Sequence, residues 1–272
     1  MENINPDEVL QELGIIQEEK KIETLDPELL NNTTMLRYQG ADWFEEANKY
    51  YVYIIGLGGI GSNLVYQLGR TNPKRLFGYD PDLVEEKNLG GQLYCRTDIG
   101  YSKSNMMTEF AINYCHKQGT SFRFYKEKIE KISDSTLGHY TLKLDNSIDP
   151  KAIFLGLDNM ESRKKIFESL LEDYEKLDYL FVDARCSPEY ICIYSFLLND
   201  KKAIRKYREE MFSDKEAIEL PCSYKQTTYT ASMCASLMTN IFVNHLKCRD
   251  IPEAILPFKT QFNTNNLSIT IE

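Results

Sequence analysis

Gly56, Gly58, Gly59 and Gly61 follow the apolar run Val52–Ile55 and precede the amphipathic run Asn63–Leu68. A strand, a glycine turn and a helix start in that order make a nucleotide-binding loop. Gly56 permits the tight turn, Gly58 lets a phosphate approach the backbone, and Gly61 lets the helix pack close to the strand. The free N–H groups at the helix start, together with the helix dipole, favour an anion there. The same glycine pattern also occurs as a plain turn in α/β domains that hold no ligand. About twenty residues on, where a ribose-binding acid is expected, Asp80 ends a second apolar run, Leu76–Tyr79. Asp82, Asn88, Gln92 and Lys103 then supply more polar groups than a dinucleotide cofactor needs. A further acid, Asp158, stands with Asn159 at the end of the run Ile153–Leu157. The carboxyl end of a parallel strand faces the ligand crevice, although an Asp in this place also serves as a helix N-cap.

The ordered pattern GxGGxGS, DxDxVExxNLxxQ and DIGxxK runs from Gly56 to Lys103 and resembles the ThiF/MoeB/HesA family, relatives of the ubiquitin-activating enzymes. The resemblance implies binding of ATP with Mg²⁺ and adenylation of a C-terminal carboxylate. The carboxylate belongs to a ubiquitin-like or sulfur-carrier protein or to a peptide with a free C-terminus. In that scheme the glycine loop borders adenosine and phosphates, with Asp82 in the same set, and Asp80 binds the ribose hydroxyls. Asn88 and Gln92 orient phosphate oxygens, Lys103 neutralises phosphate charge, and Asp158 helps hold Mg²⁺. Arg37 matches an arginine that reaches the neighbouring subunit, and a homodimer is implied. Where relatives read NLxRQ this chain reads NLGGQ, with Gly91 in the arginine's place. Arg37, Arg70, Arg96 and Arg163 are the substitutes at hand, Arg96 first. Arg70 either turns back to phosphate or completes the last turn of its helix. A second step, thioester or persulfide formation, needs a low-pKa cysteine. Cys222, in a loop after Pro221, is the first choice and Cys186, beside Arg185, the second; Cys234 reads as core. Other readings are adenylation of a small-molecule or tRNA-bound carboxylate, and an inactive scaffold subunit signalled by Gly91. An NAD-dependent oxidoreductase would leave Asn88, Gln92 and Lys103 without a task.

The composition bounds these readings. The chain has 272 residues, of which 42% are hydrophobic and 12% aromatic, so a sizeable core is affordable and wholesale disorder is not expected. The net charge is −9 and the pI about 5.1, which argues against a nucleic-acid partner. No apolar run approaches the length of a membrane span and the N-terminus lacks a secretory pattern, so a cytoplasmic protein is expected. The seven cysteines include no CxxC pair, and with three histidines a structural zinc site is not expected. Many relatives in the family carry such zinc-binding pairs.

These side chains need elements to hold them. Residues 1–36 read as an N-terminal helical arm, and 37–272 as a single ThiF-like nucleotide-binding domain. Its fold reads as α/β, a Rossmann-like, doubly wound, mostly parallel sheet with an antiparallel C-terminal extension. Strands are expected at 52–55, 76–79, 121–126, 140–144, 153–157 and 179–182, with Tyr190–Leu197 on an antiparallel edge. Helices are expected from Asp42 (a possible N-cap), at 63–70, over 102–118, from Ser162, over 201–219 with a break near Ser213, and from Thr230 to Leu246. Lys126–Lys131 reads as a solvated face, and the tail as a hairpin turning at Thr264–Asn266.

Overall fold

A computed structural model of the chain describes residues 38, 40–115, 121–133, 141–145, 149–211, 227–248 and 255–272. Gly40–Glu272 form one compact unit. The expected arm at 1–36, Arg37 and Cys222 lie outside the described residues.

The unit is built on an eight-stranded sheet. In chain order the elements are α1 (Asp42–Ala47), β1 (Tyr51–Ile55), α2 (Gly59–Gly69), β2 (Arg75–Tyr79), α3 (Lys103–Tyr114), β3 (Phe122–Tyr125), β4 (Lys131–Ile132), β5 (Thr141–Leu142) and β6 (Lys151–Leu155). There follow α4 (Met160–Tyr174), β7 (Leu180–Cys186), β8 (Tyr190–Leu197), α5 (Lys201–Glu209), α6 (Thr228–Lys247), β9 (Lys259–Asn263) and β10 (Ser268–Ile271). The spatial order is β3-β2-β1-β6-β7-β8-β9-β10. Strands β3 to β7 in that order run parallel, and β8, β9 and β10 add antiparallel. The chain winds outward from β1 in both directions, so the strand order reverses between β1 and β6. A ligand crevice forms at the carboxyl ends of strands at such a point.

The alternation of side chains along β1 explains the layers. Val52 and Ile54 pack with Leu64 and Leu68 of α2, Met107 and Ala111 of α3, and Met238 and Phe242 of α6. Tyr51, Tyr53 and Ile55 face the other way, toward Ile166, Phe167 and Leu170 of α4 and Tyr207 of α5. All five residues of β1 are buried, as in a parallel strand covered on both faces.

The structure moves several sequence-based boundaries. Strand β8 is interior rather than an edge, because the terminal hairpin β9–β10 joins the main sheet beyond it. The short β5 leaves the main sheet and pairs with β4 in a separate parallel pair. Strand β7 continues through Asp183–Cys186, since β8 pairs along that whole length. Asp42 lies in the first turn of α1 and Ala41 takes the cap position. Helix α2 starts at Gly59, inside the glycine loop rather than after it.

Three glycines make that early start feasible. Gly56 has φ +93°, a left-handed value, and a Cβ there would stand 2.8 Å from the Gly156 carbonyl oxygen. A Cβ on Gly61 would come within 1.8 Å of the Gly56 carbonyl oxygen, and one on Gly156 within 3.3 Å of the same atom. The ends of β1 and β6 and the first turn of α2 therefore meet backbone to backbone. Gly61→Ala is expected to destabilise the protein by about 3 kcal/mol, because the obstructing atom is backbone and cannot rotate away. Gly90→Ala, with nothing within 4 Å, is expected to change stability by less than about 0.5 kcal/mol. Urea unfolding of both variants checks this, and equal stabilities would contradict it.

Candidate functional site

The site is assembled from the loop after β1, the segment between β2 and α3, and the loop after β6. The Gly56 N–H donates to the Tyr79 carbonyl at 2.8 Å, so Asp80 emerges beside the glycine loop. Asp80 then joins two backbones. Its Oδ2 accepts from the Leu57 N–H at 2.7 Å and its Oδ1 from the Asp82 N–H at 2.9 Å. Lys103 reaches the same place because residues 82–84 and 100–103 pair briefly. The bonds are Lys103 N–H to the Asp82 carbonyl (3.0 Å), Val84 N–H to Tyr101 (2.8 Å) and Gly100 N–H to Val84 (2.9 Å). The Lys103 ammonium donates to Asp82 Oδ2 at 2.9 Å and lies 3.9 Å from Asp80 Oδ1. Lys103 and Asp80 are each 5% exposed, so Lys103 is a buried cation and not a solvated helix-start lysine. Burial pushes the Asp80 carboxyl above its ordinary value, while Lys103 and the two N–H donors pull it the other way.

The NLGGQ segment is clamped over the glycine loop. The Leu93 N–H donates to Ser62 Oγ at 3.0 Å, and the buried Tyr94 hydroxyl donates to the Leu57 carbonyl at 2.7 Å. The carboxamide nitrogen of Gln92 lies 3.9 Å from where a Cβ would stand on Gly58. Gln92 Oε1 is buried without a hydrogen-bond partner. A buried carboxamide oxygen in that state awaits a donor. The oxygen of Asn88 is already engaged, accepting from the Glu85 N–H at 2.8 Å in a capping box that shapes the turn Glu86–Gly90. Thr228, at the start of α6, donates through Oγ1 to the Gly90 carbonyl at 2.6 Å.

Asp158 lies at the carboxyl end of β6, where Gly156 N–H donates to Ile55 of β1 at 2.9 Å. Asp158 is not the N-cap of α4. Asn159 takes that position, its Oδ1 accepting from the Ser162 N–H at 2.8 Å while its Nδ2 donates to Asp158 Oδ1 at 3.0 Å. The Asp158 carboxylate is thus exposed and oriented by its neighbour.

The arginines separate. Arg96 is exposed on the turn Arg96–Asp98, two residues after Tyr94. Arg70 closes the far end of α2 with its guanidinium 4.8 Å from the Tyr66 ring centroid. About 1.5 Å of rise per residue puts the whole helix between it and the glycine loop, so Arg70 is not gathered with the others. Arg163 is 4% exposed and bonded to Asp183 and to the Leu157 carbonyl, so it is committed inside the fold and not held out toward a phosphate. Arg185, expected to serve Cys186, has other partners. Its Nη1 donates to the Glu210 carbonyl at 2.8 Å and its guanidinium lies over Tyr194 at 4.5 Å. Cys186 instead neighbours Cys234, whose thiol is pushed up by that contact and by burial.

Ser62, Tyr94 and Gly156 join the site without having been assigned a role from sequence. Ser62 ends the GxGGxGS pattern and Gly156 interrupts the run before Asp158, so both carried a signal. Tyr94 carried none.

Removing the Lys103 ammonium leaves Asp80 buried beside Asp82 with no counter-charge. Lys103→Met is expected to lose about 3 kcal/mol of stability at neutral pH. The Asp80 carboxyl then rises further, so the folded protein takes up that proton before the unfolded chain does. The loss is full while Asp80 is charged and shrinks as pH falls through the raised value. Urea unfolding at about pH 7 and about pH 5 measures it, and an equal loss at both would contradict the account.

The family model described as "ThiF family" matches residues 30–187, more than half of the 272-residue chain. No curated protein matches. Among solved structures, PaaA is 16% identical with a TM-score of 0.61, over 99% of this chain and 83% of that one. Escherichia coli MccB with ATP is 13% identical with a TM-score of 0.60, over 99% and 79%. The same enzyme with AMPCPP and MccA is 12% identical with a TM-score of 0.59, over 99% and 79%. At these identities the likeness is one of fold, the α/β sheet with its antiparallel C-terminal strands. The matched span begins ahead of the glycine loop and ends at the close of β7, taking in Asp80, Lys103 and Asp158; the chain belongs to the ThiF family.

Proposed function

We propose that this chain uses ATP to adenylate the C-terminal carboxylate of a peptide or of a small ubiquitin-like or sulfur-carrier protein. One observation carries the reading. Lys103, buried between Asp80 and Asp82, stands beside a glycine loop, and Asp158 is left unburdened by capping at the end of β6. A dinucleotide site has no use for that cation and that second acid. Family membership supports nucleotide-dependent adenylation, and the MccB structures that hold MccA support a peptide partner.

The donor set fits Mg²⁺. Among the described residues no group of three or more His, Cys, Asp or Glu could cage an ion. Mg²⁺ at nucleotide sites is ordinarily held through one or two carboxylates plus substrate phosphates and water. Asp158 is the residue that would hold it, and when bound it would neutralise charge on the phosphates.

The chain's own groups do the rest. The first turn of α2, uncapped by any side chain, presents N–H groups to the phosphates. Asp80, with each oxygen already accepting one N–H, has a lone pair left on each for a ribose hydroxyl. Gln92 offers its carboxamide at the loop. Lys103 exchanges Asp82 for phosphate oxygens as charge builds on them. A carboxylate oxygen of the substrate attacks the α-phosphorus, the bond to the β-phosphate oxygen breaks, and pyrophosphate leaves with the electron pair. This requires alignment and charge stabilisation, with no covalent help from the protein. With Arg70 and Arg163 placed elsewhere, we assign the role of the arginine missing at Gly91 to Arg96. Onward transfer through Cys222, a homodimer and a cytoplasmic location belong to the same proposal; the described cysteines are free thiols, which suits a reducing compartment.

The absence of an arginine from NLGGQ favours a second reading, a scaffold subunit that binds nucleotide without turning it over. ATP–pyrophosphate exchange separates the two. Exchange is expected with peptides or carrier proteins ending in a free carboxylate, falling on the order of 100-fold in Asp158→Ala and in Arg96→Ala. ATP binding with no exchange for any carboxylate would establish the scaffold instead.

A further inference from the structure

Asp158 is useful only if the loop that carries it is held in one position, and the structure shows what holds it. Between β6 and α4 the chain runs Gly156–Leu157–Asp158–Asn159. Gly156 is tied to β1 through its N–H, and Asn159 is tied to α4 as its cap. The Leu157 carbonyl, immediately before Asp158, turns inward. There it accepts from Nη2 of Arg163, one turn into α4, whose Nη1 donates to Asp183 Oδ1.

Asp183 is fully buried on β7, paired in register with Leu155, the last residue of β6. Its second oxygen is fixed as well. The hydroxyl of buried Tyr207 donates to Oδ2 at 2.8 Å, and Arg185 Nε lies 3.5 Å from the same atom. Arg163 therefore spans from a buried carboxylate within β7, held on its other oxygen by Tyr207, to the carbonyl immediately before Asp158. Its planar fork bonds the two acceptors from two separate nitrogens in fixed relative orientation, an arrangement that a single rotatable ammonium does not reproduce. A buried ion pair of this kind is weak support for stability, since well-packed apolar residues commonly do as well. A role in fixing position accounts for it better.

We infer that Arg163, braced by Asp183, is a positioning residue for Asp158: it ties the Leu157 carbonyl so that the Asp158 carboxylate is presented at the crevice. The inference rests on Asp158 being the cation-bearing acid. It withdraws Arg163 from the phosphates and gives it a task one layer beneath them.

The test is binding of a non-hydrolysable ATP analogue to the full chain, measured by calorimetry across a Mg²⁺ titration and again in EDTA. Arg163→Lys keeps the charge toward Asp183 and loses the fork. It is expected to raise the half-saturating Mg²⁺ about tenfold, as Asp158→Asn does, with affinity in EDTA within about twofold of the parent. Because Arg163 acts through Asp158, the double variant is expected to be no worse than Asp158→Asn alone. Tyr207→Phe removes one hydrogen bond from the far side of Asp183 and is expected to shift Mg²⁺ in the same direction by a few-fold, on the order of threefold. It decides the matter if Arg163→Lys does not fold. A shift in Asp158→Asn with none in Arg163→Lys or Tyr207→Phe overturns the positioning role alone, as does full additivity in the double variant. Loss of analogue affinity in EDTA would return Arg163 to the phosphates. No shift in Asp158→Asn itself removes the assignment of Asp158, and the brace with it.

Discussion

Everything near the site depends on a contact in which no side chain takes part. The Gly56 carbonyl oxygen is enclosed by Gly61 on α2 and Gly156 after β6, and a methyl group at position 61 would overlap it. That approach lets α2 begin at Gly59, directly over the turn, so that its unpaired N–H groups open onto the crevice rather than several residues away from it. It also draws the end of β6 against the end of β1, placing Asp158 on the same rim as the glycine loop. The first turn of α2 and the end of β6 are thus brought to the reversal of strand order through one backbone contact.

Around that contact the electrostatics are arranged in two layers. The upper layer is Asp80, Asp82 and Lys103, with the cation buried and one of its acids half in solvent. Asp80 has a structural part as well, since its two oxygens hold Leu57 and Asp82 in place. Lys103 keeps one exposed partner, since Asp82 reaches solvent and water can take over that side of the pair. The lower layer is Asp183, buried with Arg163 and Tyr207 and bonded at both oxygens, with the partly exposed Arg185 beside it. In the proposed scheme the upper layer meets ligand, and the lower one orients the loop that carries Asp158.

The glycine loop, Asp80 and the parallel architecture were legible because each is local. They rest on a spacing within one motif or on the length of an apolar run. What was not legible depends on long-range closure or on a single residue of register. Asp158 reads from sequence either as a crevice acid or as a helix cap, and the structure gives the cap to Asn159. Arg163 reads from sequence as a candidate phosphate-binding arginine, yet α4 turns it into the core while Lys164 and Lys165 stay exposed. Lys103 reads as a site residue, but its burial is not legible, because the ladder between 82–84 and 100–103 that encloses it has no periodic signature. Strand β8 reads as an edge because the hairpin that covers it comes more than sixty residues later in the chain.

The central claim is that ATP is split between its α- and β-phosphates by attack of a carboxylate oxygen. The most direct measurement follows that oxygen. A substrate peptide or carrier protein labelled with ¹⁸O in its C-terminal carboxylate is turned over with ATP, and the released AMP is examined by mass spectrometry. The account predicts AMP carrying one ¹⁸O atom from the carboxylate, with pyrophosphate as the other product. Unlabelled AMP, or ADP with inorganic phosphate, would contradict it.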